Sequence, residues 1–492
     1  MKQLKQRSLL FMLFLLAIAG LGLTSCSGDD LESNPSDNNS RFYVSVTDGG
    51  YFSTQDGIYT KSSEQGYTTE FTAGDQIGVF AVKNNQIIAE VNNLCLTATD
   101  NNGALVWKDA GGNAPLKFDG AVYYAYYPYQ SSLTGTLVLT ATDADSFFVN
   151  VVSNWTPSTD QGVYTKYTAQ DLMTAQGGIS NSELSFAMQH EMALAVIELP
   201  GTKYEFSNTN PSLPDYVIDP QDSRFDSYKP YKMADGMYRY LVRPGYTNKL
   251  TGSYTNASNA AKGWELNPAG ISSGSYKVFK VDGGVTNIIP NYNLQIGDYM
   301  LKDGSLVSKD ATLSPTQKAN CVGVVYWIDP NGINHGKVVS LKHTMLFMWA
   351  DINNLTFETG ATDARNGFNN MKTIANLVSN STKVWSNFPP FAEIHKLNDP
   401  AETYSESFVG RVWYLPSIDE WIEFYNIFST YGQGSFNTLL TSAGGNSIGQ
   451  FYWSSTEKSA NQAYLFDQLL ATKEILLNKN GGTFYVRGIA KF

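Results

Sequence analysis

Short apolar runs with a period of two, separated by turn-forming residues, recur through the first 290 or so positions of the chain. Residues 77–82 follow a Gly74-Asp75 turn, and residues 122–127 end at Pro128, which has no N–H and cannot continue a strand ladder. The same pattern predicts further strands over residues 42–46, 184–186, 192–199, 238–242 and 276–281. A comparable amphipathic helix pattern does not occur before about residue 360, so the spacing of these strands favours β-sandwiches.

The composition agrees with a β-rich protein that works outside the cytoplasm. Aromatic residues make up 13% of the chain, with 30 tyrosines, whereas charged residues make up only 16%. The 34 basic and 45 acidic side chains form no basic stripe along the sequence, which argues against nucleic-acid binding. A length of 492 residues implies several domains.

The first 25 residues have the pattern of a signal peptide. Basic residues precede an apolar run over residues 9–23, which is too short for a comfortable transmembrane helix. The run ends in Leu23-Thr24-Ser25-Cys26, which resembles the bacterial lipobox. That resemblance implies cleavage before Cys26 and attachment of lipid to its thiol, and hence an outer-membrane lipoprotein. An ordinary secretory signal that ends near a cysteine is the alternative.

Residues 26–40 are acidic and polar and predict an unfolded tether, because they cannot bury enough apolar surface to fold. The acidic cluster just after Cys26 resembles the export signal of lipoproteins that reach the cell surface, although a plain solvated linker has the same composition. Beyond Cys26 only Cys95 and Cys321 remain, so a disulfide framework and a cysteine-based zinc site are excluded by number. We interpret both thiols as buried small hydrophobes.

Several short sequence strings follow one another in a fixed order along the first half of the chain. They are residues 71–82 (Phe-Thr-Ala-Gly-Asp-Gln-Ile-Gly-Val-Phe-Ala-Val), Trp107, residues 123–129, Asp171-Leu172-Met173, and Leu184-Ser185-Phe186 with His190 and Met192. In order and spacing they resemble the fimbrillin family, the pilus subunits and pilus-associated lipoproteins of certain Gram-negative anaerobes. The similarity covers about residues 41–285. His190 itself is interpreted as a core or turn histidine and not as a ligand.

This resemblance implies two transthyretin-like β-sandwich domains, over residues 41–200 and 201–290. It also implies assembly with other fimbrillin subunits by donor-strand exchange, in which one subunit's strand fills a groove in its neighbour. In the family a protease often opens that groove by cutting after a basic residue. Arg41 and Lys61 bracket the predicted first strand here; a cut after Arg41 would retain the strand, whereas a cut near Lys61 would remove it. Both residues are equally compatible with plain surface cations.

Residues 291–492 have a different character. Residues 368–378 predict a helix, and a second helix is predicted after Pro416, because Ser417 and Glu420 form a capping-box pattern ahead of an apolar stripe that ends near Gly432. Short strands are predicted around the helices, which makes an α+β domain. The strings that carry a resemblance to a C-type lectin-like module are residues 413–417 with Glu420-Trp421, residues 452–457, Val486-Arg487, residues 297–299 and residues 367–370.

Ligand contacts in such a module are predicted on a glycine- and asparagine-rich loop, residues 442–450, and on its neighbours Trp453, Glu457 and Asn461. The alternative for Trp453 is a core position. The sequence lacks the Glu-Pro-Asn or Gln-Pro-Asp string and the paired cysteines of calcium-dependent sugar binders, and no dense carboxylate loop is evident. We therefore predict no metal site and no cofactor; calcium, which some related modules coordinate on the loop face, stays an open alternative that no motif supports.

Together these features predict a fimbrillin-type pilus component at the cell surface, a tip adhesin that attaches to an extracellular glycan or protein ligand. The alternative is a surface glycan-binding lipoprotein that is not part of a pilus and serves nutrient capture. An enzyme is not predicted, since Cys321 has no cationic neighbour in sequence and no nucleophile elbow is present. His335, His343 and His395 are scattered along the chain.

Overall fold

The computed structural model describes residues 40–54, 67–68, 70–101, 103–233, 235–398, 411–470, 472 and 474–492. The predicted signal peptide, almost all of the tether with Cys26, and Lys61 lie outside these residues. The described chain is mainly β, as predicted. None of the helices in this part of the chain is both long enough and apolar enough to cross a membrane.

The first ten strands and the short helices among them precede residue 200. The strands are β1 (Tyr43–Asp48), β2 (Phe52–Ser53), β3 (Gln76–Lys83), β4 (Gln86–Ile87), β5 (Leu94–Asn101), β6 (Ala104–Lys108), β7 (Val122–Tyr127), β8 (Met173–Ser180), β9 (Glu183–His190) and β10 (Ala193–Glu198). The helices are α1 (Ala144–Phe147), α2 (Val149–Asn154), α3 (Tyr164–Thr168) and a 3-10 turn at Ala89–Val91. The first sheet has the order β1-β9-β8-β7-β3-β5-β6, and β4 pairs with β3.

Both faces of the central strands of this sheet are buried, which explains their nearly continuous apolar sequence. In β7, Tyr123 and Ala125 belong to the core on one face, whereas Tyr124 and Tyr126 belong to the core on the other. Gly78 of β3 lies opposite Tyr126, and a Cβ atom at position 78 would lie 2.2 Å from that ring. The glycine of the Gly-Asp-x-Ile-Gly string is therefore required by the close approach of an aromatic ring.

The next strands follow up to residue 292. They are β11 (Thr202–Phe206), β12 (Tyr216–Ile218), β13 (Gln221–Phe225), β14 (Tyr231–Lys232), β15 (Tyr238–Val242), β16 (Leu250–Thr255), β17 (Ala261–Leu266), β18 (Ser275–Lys280) and β19 (Asn287–Tyr292), with a 3-10 turn at Val281–Gly283. One face of the second sheet, β14-β15-β10-β18-β2, packs on the face of the first sheet that carries Tyr124 and Tyr126. Its other face packs on the sheet β13-β16-β17. A further small sheet has the order β12-β11-β19.

The last strands and the longer helices lie after residue 292. They are β20 (Tyr299–Leu301), β21 (Leu306–Val307), α4 (Pro315–Asn320), β22 (Cys321–Ile328), β23 (Gly336–Ser340), β24 (Thr344–Phe347), α5 (Gly367–Asn380), a 3-10 turn at Trp385–Asn387, α6 (Pro389–Leu397), α7 (Ile418–Tyr431), α8 (Gln433–Ser442), β25 (Phe451–Ser459), β26 (Gln462–Asp467), β27 (Glu474–Asn478), β28 (Phe484–Val486) and β29 (Ile489–Lys491). Their two sheets have the orders β21-β20-β22-β23-β29 and β24-β28-β25-β26-β27.

Both predicted helices of this region are present. The second is α7, which begins after Ser417; the Ser417 hydroxyl accepts a hydrogen bond from the Glu420 N–H, and the Glu420 carboxylate accepts one from the Ser417 N–H. Gly432 ends it with a positive φ of 99°. Side chains of the small sheet β12-β11-β19, such as Tyr204 and Tyr216, belong to this same core. The domain boundary at residues 290 and 291 stays a prediction.

Both remaining cysteines are free thiols. Cys321 is buried at the start of β22, as predicted, whereas Cys95 in β5 is only half-buried, so the interpretation of both as buried was wrong for Cys95. Cys95 lies near the start of β5, on the face opposite to Leu96 and Ala98, which belong to the core.

Candidate functional site

The first described segment of the chain fills a slot in the body of the protein. Its strand β1 is the edge strand of the first sheet and pairs in parallel with β9, with Val44 opposite Leu184 and Asp48 opposite Met188. As an edge strand, β1 forms ladder hydrogen bonds with a neighbouring strand of this sheet on one side, that of β9.

Residues 40–42, just before β1, pair with residues 114–117. The Phe42 N–H donates to the Pro115 carbonyl at 3.1 Å, and the Lys117 N–H donates to the Ser40 carbonyl at 2.8 Å. The Arg41 guanidinium donates to the Ala114 carbonyl at 2.5 Å. The start of the segment is therefore held by backbone contacts from two sides, between β9 and residues 114–117.

The inward side chains of this segment complete the core of the first sheet. Phe42 and Val44 are 3% and 2% exposed, and Val46 packs against the same core. The Phe42 ring meets Tyr123 edge-on at 5.2 Å between centroids. Withdrawal of the segment would expose this apolar surface to water, and such a surface favours a replacement strand of the same pattern.

The last residue of β1 ends in a buried charged cluster. One carboxylate oxygen of Asp48 lies 2.9 Å from His190 Nε2, and Asp171 Oδ1 lies 2.9 Å from His190 Nδ1. The Tyr51 ring stacks on the His190 ring with centroids 3.8 Å apart, and its hydroxyl donates to Asp171 at 2.6 Å. All four residues are buried or nearly so. The interpretation of His190 as a core histidine agrees with this placement.

Electrostatics favour the protonated form of His190. Burial by itself lowers the pKa of an imidazole, but the carboxylates of Asp171 and Asp48 outweigh it and raise the pKa of His190 to about 9. Next to it, burial raises the pKa of Glu191, whose carboxylate accepts a hydrogen bond from the Thr174 hydroxyl at 2.5 Å. The cluster thus has a cation clamped between two carboxylates, one of which belongs to the leading segment.

The leading segment also joins the second sheet. Its strand β2 pairs in parallel with β18, with Phe52 opposite Ser275. The Phe52 N–H donates to the Gly274 carbonyl at 2.9 Å, and the Thr54 N–H donates to the Tyr276 carbonyl at 3.1 Å. Residues 40–54 therefore connect the first and second sheets through backbone pairing at both ends and the charged cluster between them.

The structure describes only one of the three N-terminal residues that the sequence singled out. Arg41 is exposed at the entrance of the slot, where its backbone forms an isolated bridge with Leu116. Cys26 and Lys61 lie outside the described residues, so lipidation and both cleavage positions stay predictions. The Arg41 side chain is accessible to solvent, whereas the adjacent residues Ser40 and Phe42 form backbone hydrogen bonds with Lys117 and Pro115.

Trp453, predicted as a ligand contact, lies in the core of the C-terminal region. It is 0% exposed, its indole N–H donates to the Phe347 carbonyl at 2.7 Å, and Phe484 packs edge-on against it at 5.3 Å. The Trp421 indole N–H donates to the backbone carbonyl of Trp453 at 3.2 Å. This placement is that of the core alternative, in which Trp453 locks helix α7 against the sheet.

Glu457, also predicted as a ligand contact, is buried within strand β25, which extends to Ser459. The Glu457 carboxylate accepts a hydrogen bond from the Lys479 ammonium at 2.5 Å and another from the Thr359 N–H at 2.8 Å. Lys479 is 0% exposed and donates further to the Phe357 and Ala460 carbonyls. Burial lowers the pKa of Lys479. The pair links three loops of the region.

Asn461 is exposed in the turn between β25 and β26, where its amide oxygen accepts a hydrogen bond from the Ser459 hydroxyl. The predicted ligand loop, residues 442–450, precedes β25 and has exposed residues such as Asn446 and Ser447. Loop and turn lie at opposite ends of this nine-residue strand, which places them roughly 25 Å apart at about 3.3 Å per residue. The structure does not bring them into one site, and a ligand role for either stays a prediction.

The remaining histidines contact other residues of the fold. His335 contacts the Asp215 carbonyl at 3.1 Å, and burial lowers its pKa. Burial and the nearby Arg487 lower the pKa of His343 to about 4. His395 stacks on Trp385. Within the described ranges, no three His, Cys, Asp or Glu side chains are placed together so that they could hold a metal ion.

The sequence reasoning missed Asp48, Tyr51 and Asp171 as partners of His190. One signal was available: Asp48 continues the alternation of Phe42, Val44 and Val46, so it falls on the inward face of the strand. A carboxylate on an inward face requires a buried partner. Which partner it finds depends on tertiary pairing of β1 with β9.

Comparison with known proteins gave matches over most of the chain. Residues 60–276 match the family model described as "Fimbrillin-like". A Bacteroides ovatus protein named "Putative fimbrium tip subunit Fim1C" is 30% identical over 535 aligned positions, which cover 94% of this chain and 95% of that protein. A crystal structure of a fimbrial protein from Bacteroides ovatus is 27% identical, covering 92% of this chain and 100% of that chain with a TM-score of 0.47.

Proposed function

The chain belongs to the fimbrillin-like family, and from that membership we propose that it is the tip subunit of a fimbrium, an adhesin assembled by strand exchange. The observation that carries the proposal is the leading segment, which fills a slot between β9 and residues 114–117. The name of the Bacteroides ovatus relative, aligned over nearly its whole length, supports the tip position.

The physical basis of the proposed exchange is β-augmentation. An edge strand contributes main-chain hydrogen bonds that any extended chain can supply, and its alternate side chains fill pockets that fix the register. In β1 these side chains are Val44 and Val46, together with Phe42 just before it. Removal of the segment leaves the partner strand β9 with an unpaired edge and an apolar groove, which a strand from a neighbouring fimbrial subunit fills.

A terminal position in the polymer is supported by the C-terminal region. Its strand β29 pairs with β23, and Phe492 beside it is only 3% exposed. This strand is part of the region's own core, so it is poorly placed for donation to a further subunit. A subunit that accepts a strand in its groove and holds β29 in its own sheet does not offer β29 to a further subunit.

The proposal includes targeting to the membrane by lipid and a later proteolytic release. Lipid on Cys26 delivers the chain to the outer membrane and cell surface, and a cut after Arg41 or Lys61 separates the folded body from the lipid. The ligand is an extracellular glycan or protein bound by the C-terminal region, which resembles a C-type lectin-like module. Exposed residues such as Asn446 and Asn461 are the places where we expect contacts.

Immunogold labelling of intact cells, combined with mass spectrometry of the mature N-terminus, tests the proposal. We expect label at filament ends and a mature N-terminus at position 42 or 62. The variants Arg41→Ala and Lys61→Ala identify the cut, and Lys83→Ala, at an exposed lysine that ends β3, is the matched control. Uniform label on the outer membrane with Cys26 retained contradicts the proposal and supports the alternative, a glycan-binding lipoprotein outside any pilus.

A further inference from the structure

The leading segment supplies half of the buried charged cluster around His190. Asp48 and Tyr51 come from the segment, whereas His190 and Asp171 come from the body of the protein. The His190 side chain is 0% exposed, and those of Asp48 and Asp171 are 4% and 1% exposed. If the segment leaves its slot, the imidazole loses one carboxylate at Nε2 and the aromatic ring that covers one of its faces.

The inward face of the segment has a defined order of side chains. Phe42, Val44 and Val46 are apolar and occupy alternate positions, and Asp48 follows at the same spacing. Parallel pairing with β9 sets the register, with Asp48 opposite Met188 at the end of the ladder. The groove therefore has three apolar subsites followed by one that presents the Nε2 edge of an imidazole.

A purely apolar replacement strand would match the first three subsites and fail at the fourth. The buried His190 would keep Asp171 on one side and have no carboxylate within ion-pair distance of Nε2 on the other, and a buried cation that loses a charged partner is strongly unfavourable. A strand shifted by one residue would fail as well, because each shift turns every inward side chain to the opposite face. A carboxylate at the fourth subsite forms this ion pair with the imidazole in one register only.

We propose that the groove selects a donor strand from another fimbrial subunit whose inward residues are three apolar side chains followed, at the same spacing, by Asp or Glu. In this scheme His190 is the specificity-determining residue that recognises the donor's carboxylate, and Asp171 is a positioning residue that fixes the imidazole. The inference rests on the proposed strand exchange and adds to it the chemistry of the partner strand.

Peptide binding to the clipped chain tests this selection. The full folded chain is cut by limited digestion with a lysine-specific protease between residues 54 and 67, and mass spectrometry confirms the cut and the loss of the segment. Fluorescent peptides spanning residues 40–54 are then titrated and followed by anisotropy. The first has the natural sequence, the second has Asp48→Asn, and the third has Thr47→Asp with Asp48→Thr. The third peptide keeps composition and charge but turns the carboxylate outward.

We expect the natural peptide to bind at least about tenfold more tightly than either variant, because each variant removes one of the two carboxylates that flank the buried imidazole. In a His190→Gln chain, the difference between the natural and Asp48→Asn peptides should shrink to about twofold or less. Equal affinity of all three peptides for the natural chain would overturn the role of His190 and leave strand exchange standing. Failure of even the natural peptide to bind a chain that has lost its segment would contradict strand exchange itself, and this inference with it.

Discussion

The charged cluster predicts that the stability of the protein falls as the pH rises from about 6.5 to about 9. His190 has a pKa of about 9 in the folded chain, above the ordinary value of 6.5, since Asp171 and Asp48 outweigh the effect of burial. The folded state therefore binds a proton that the unfolded state has already lost in this window. The resulting stabilisation is complete below about pH 6.5 and disappears as the pH passes through the folded pKa.

The magnitude follows from the two pKa values. A difference of about 2.5 units corresponds to on the order of 3 kcal/mol of unfolding free energy, at about 1.36 kcal/mol per unit. Integration of the proton linkage places about 2 kcal/mol of this loss between about pH 6.5 and about pH 8.5. His190 is fully buried, so solvent screening does not reduce the effect appreciably.

Urea unfolding, followed by tryptophan fluorescence, measures the effect at several pH values within this window. His335 and His343 have lowered pKa values and lose their contribution on the acid side, below about pH 6.5. Cys95 has a pKa raised above 9.0 by burial and contributes mainly at higher pH. A His190→Gln chain should lose the pH dependence, and a His395→Gln chain, changed at an exposed histidine, should keep it. The reasoning is refuted if the natural and His190→Gln chains lose equal stability between about pH 6.5 and about pH 8.5.

Two further predictions concern the C-terminal region. Lys479→Met should reduce the unfolding free energy by about 3–5 kcal/mol, because it leaves the buried Glu457 carboxylate without its cation; in urea unfolding, the exposed neighbour Lys458→Met should change it by less than about 0.5 kcal/mol. Ser417→Ala should reduce it by about 1 kcal/mol through loss of the N-cap of α7. Ser429→Ala, on an exposed position of the same helix, is its control, and an equal loss in both serine variants would contradict the capping argument.

Elements with local signals were predictable from the sequence. Strand β7 spans Val122–Tyr127, the bounds predicted, because Pro128 stops the ladder and apolar residues fill both faces. Helix α7 begins where its capping box predicts, since Ser417 and Glu420 satisfy each other's N–H groups without help from distant residues. The fimbrillin resemblance, confirmed by comparison, likewise depends on strings such as residues 71–82, whose spacing is local.

Elements whose sequences lack such local signals were not predicted from the sequence. Helix α8 follows α7 directly after Gly432, and its mostly polar sequence buries only Phe436 and Leu440. Strand β25 extends through Glu457 because Lys479, which lies on a different hairpin, compensates for a buried carboxylate. A buried charge in a strand is stable only with a partner, and the sequence alone does not indicate which distant lysine supplies it.

The two candidate cleavage positions differ in what they do to the groove, even though both separate the body from Cys26. A cut after Arg41 leaves β1 and β2 in place, and with them the pairing of Asp48 with His190. A cut after Lys61 frees both strands to leave together, because they are one continuous segment that joins the first and second sheets. Release from the membrane and opening of the groove are thus separable events. A mature N-terminus at position 42 therefore implies release alone, with the slot still filled, whereas one at position 62 implies both.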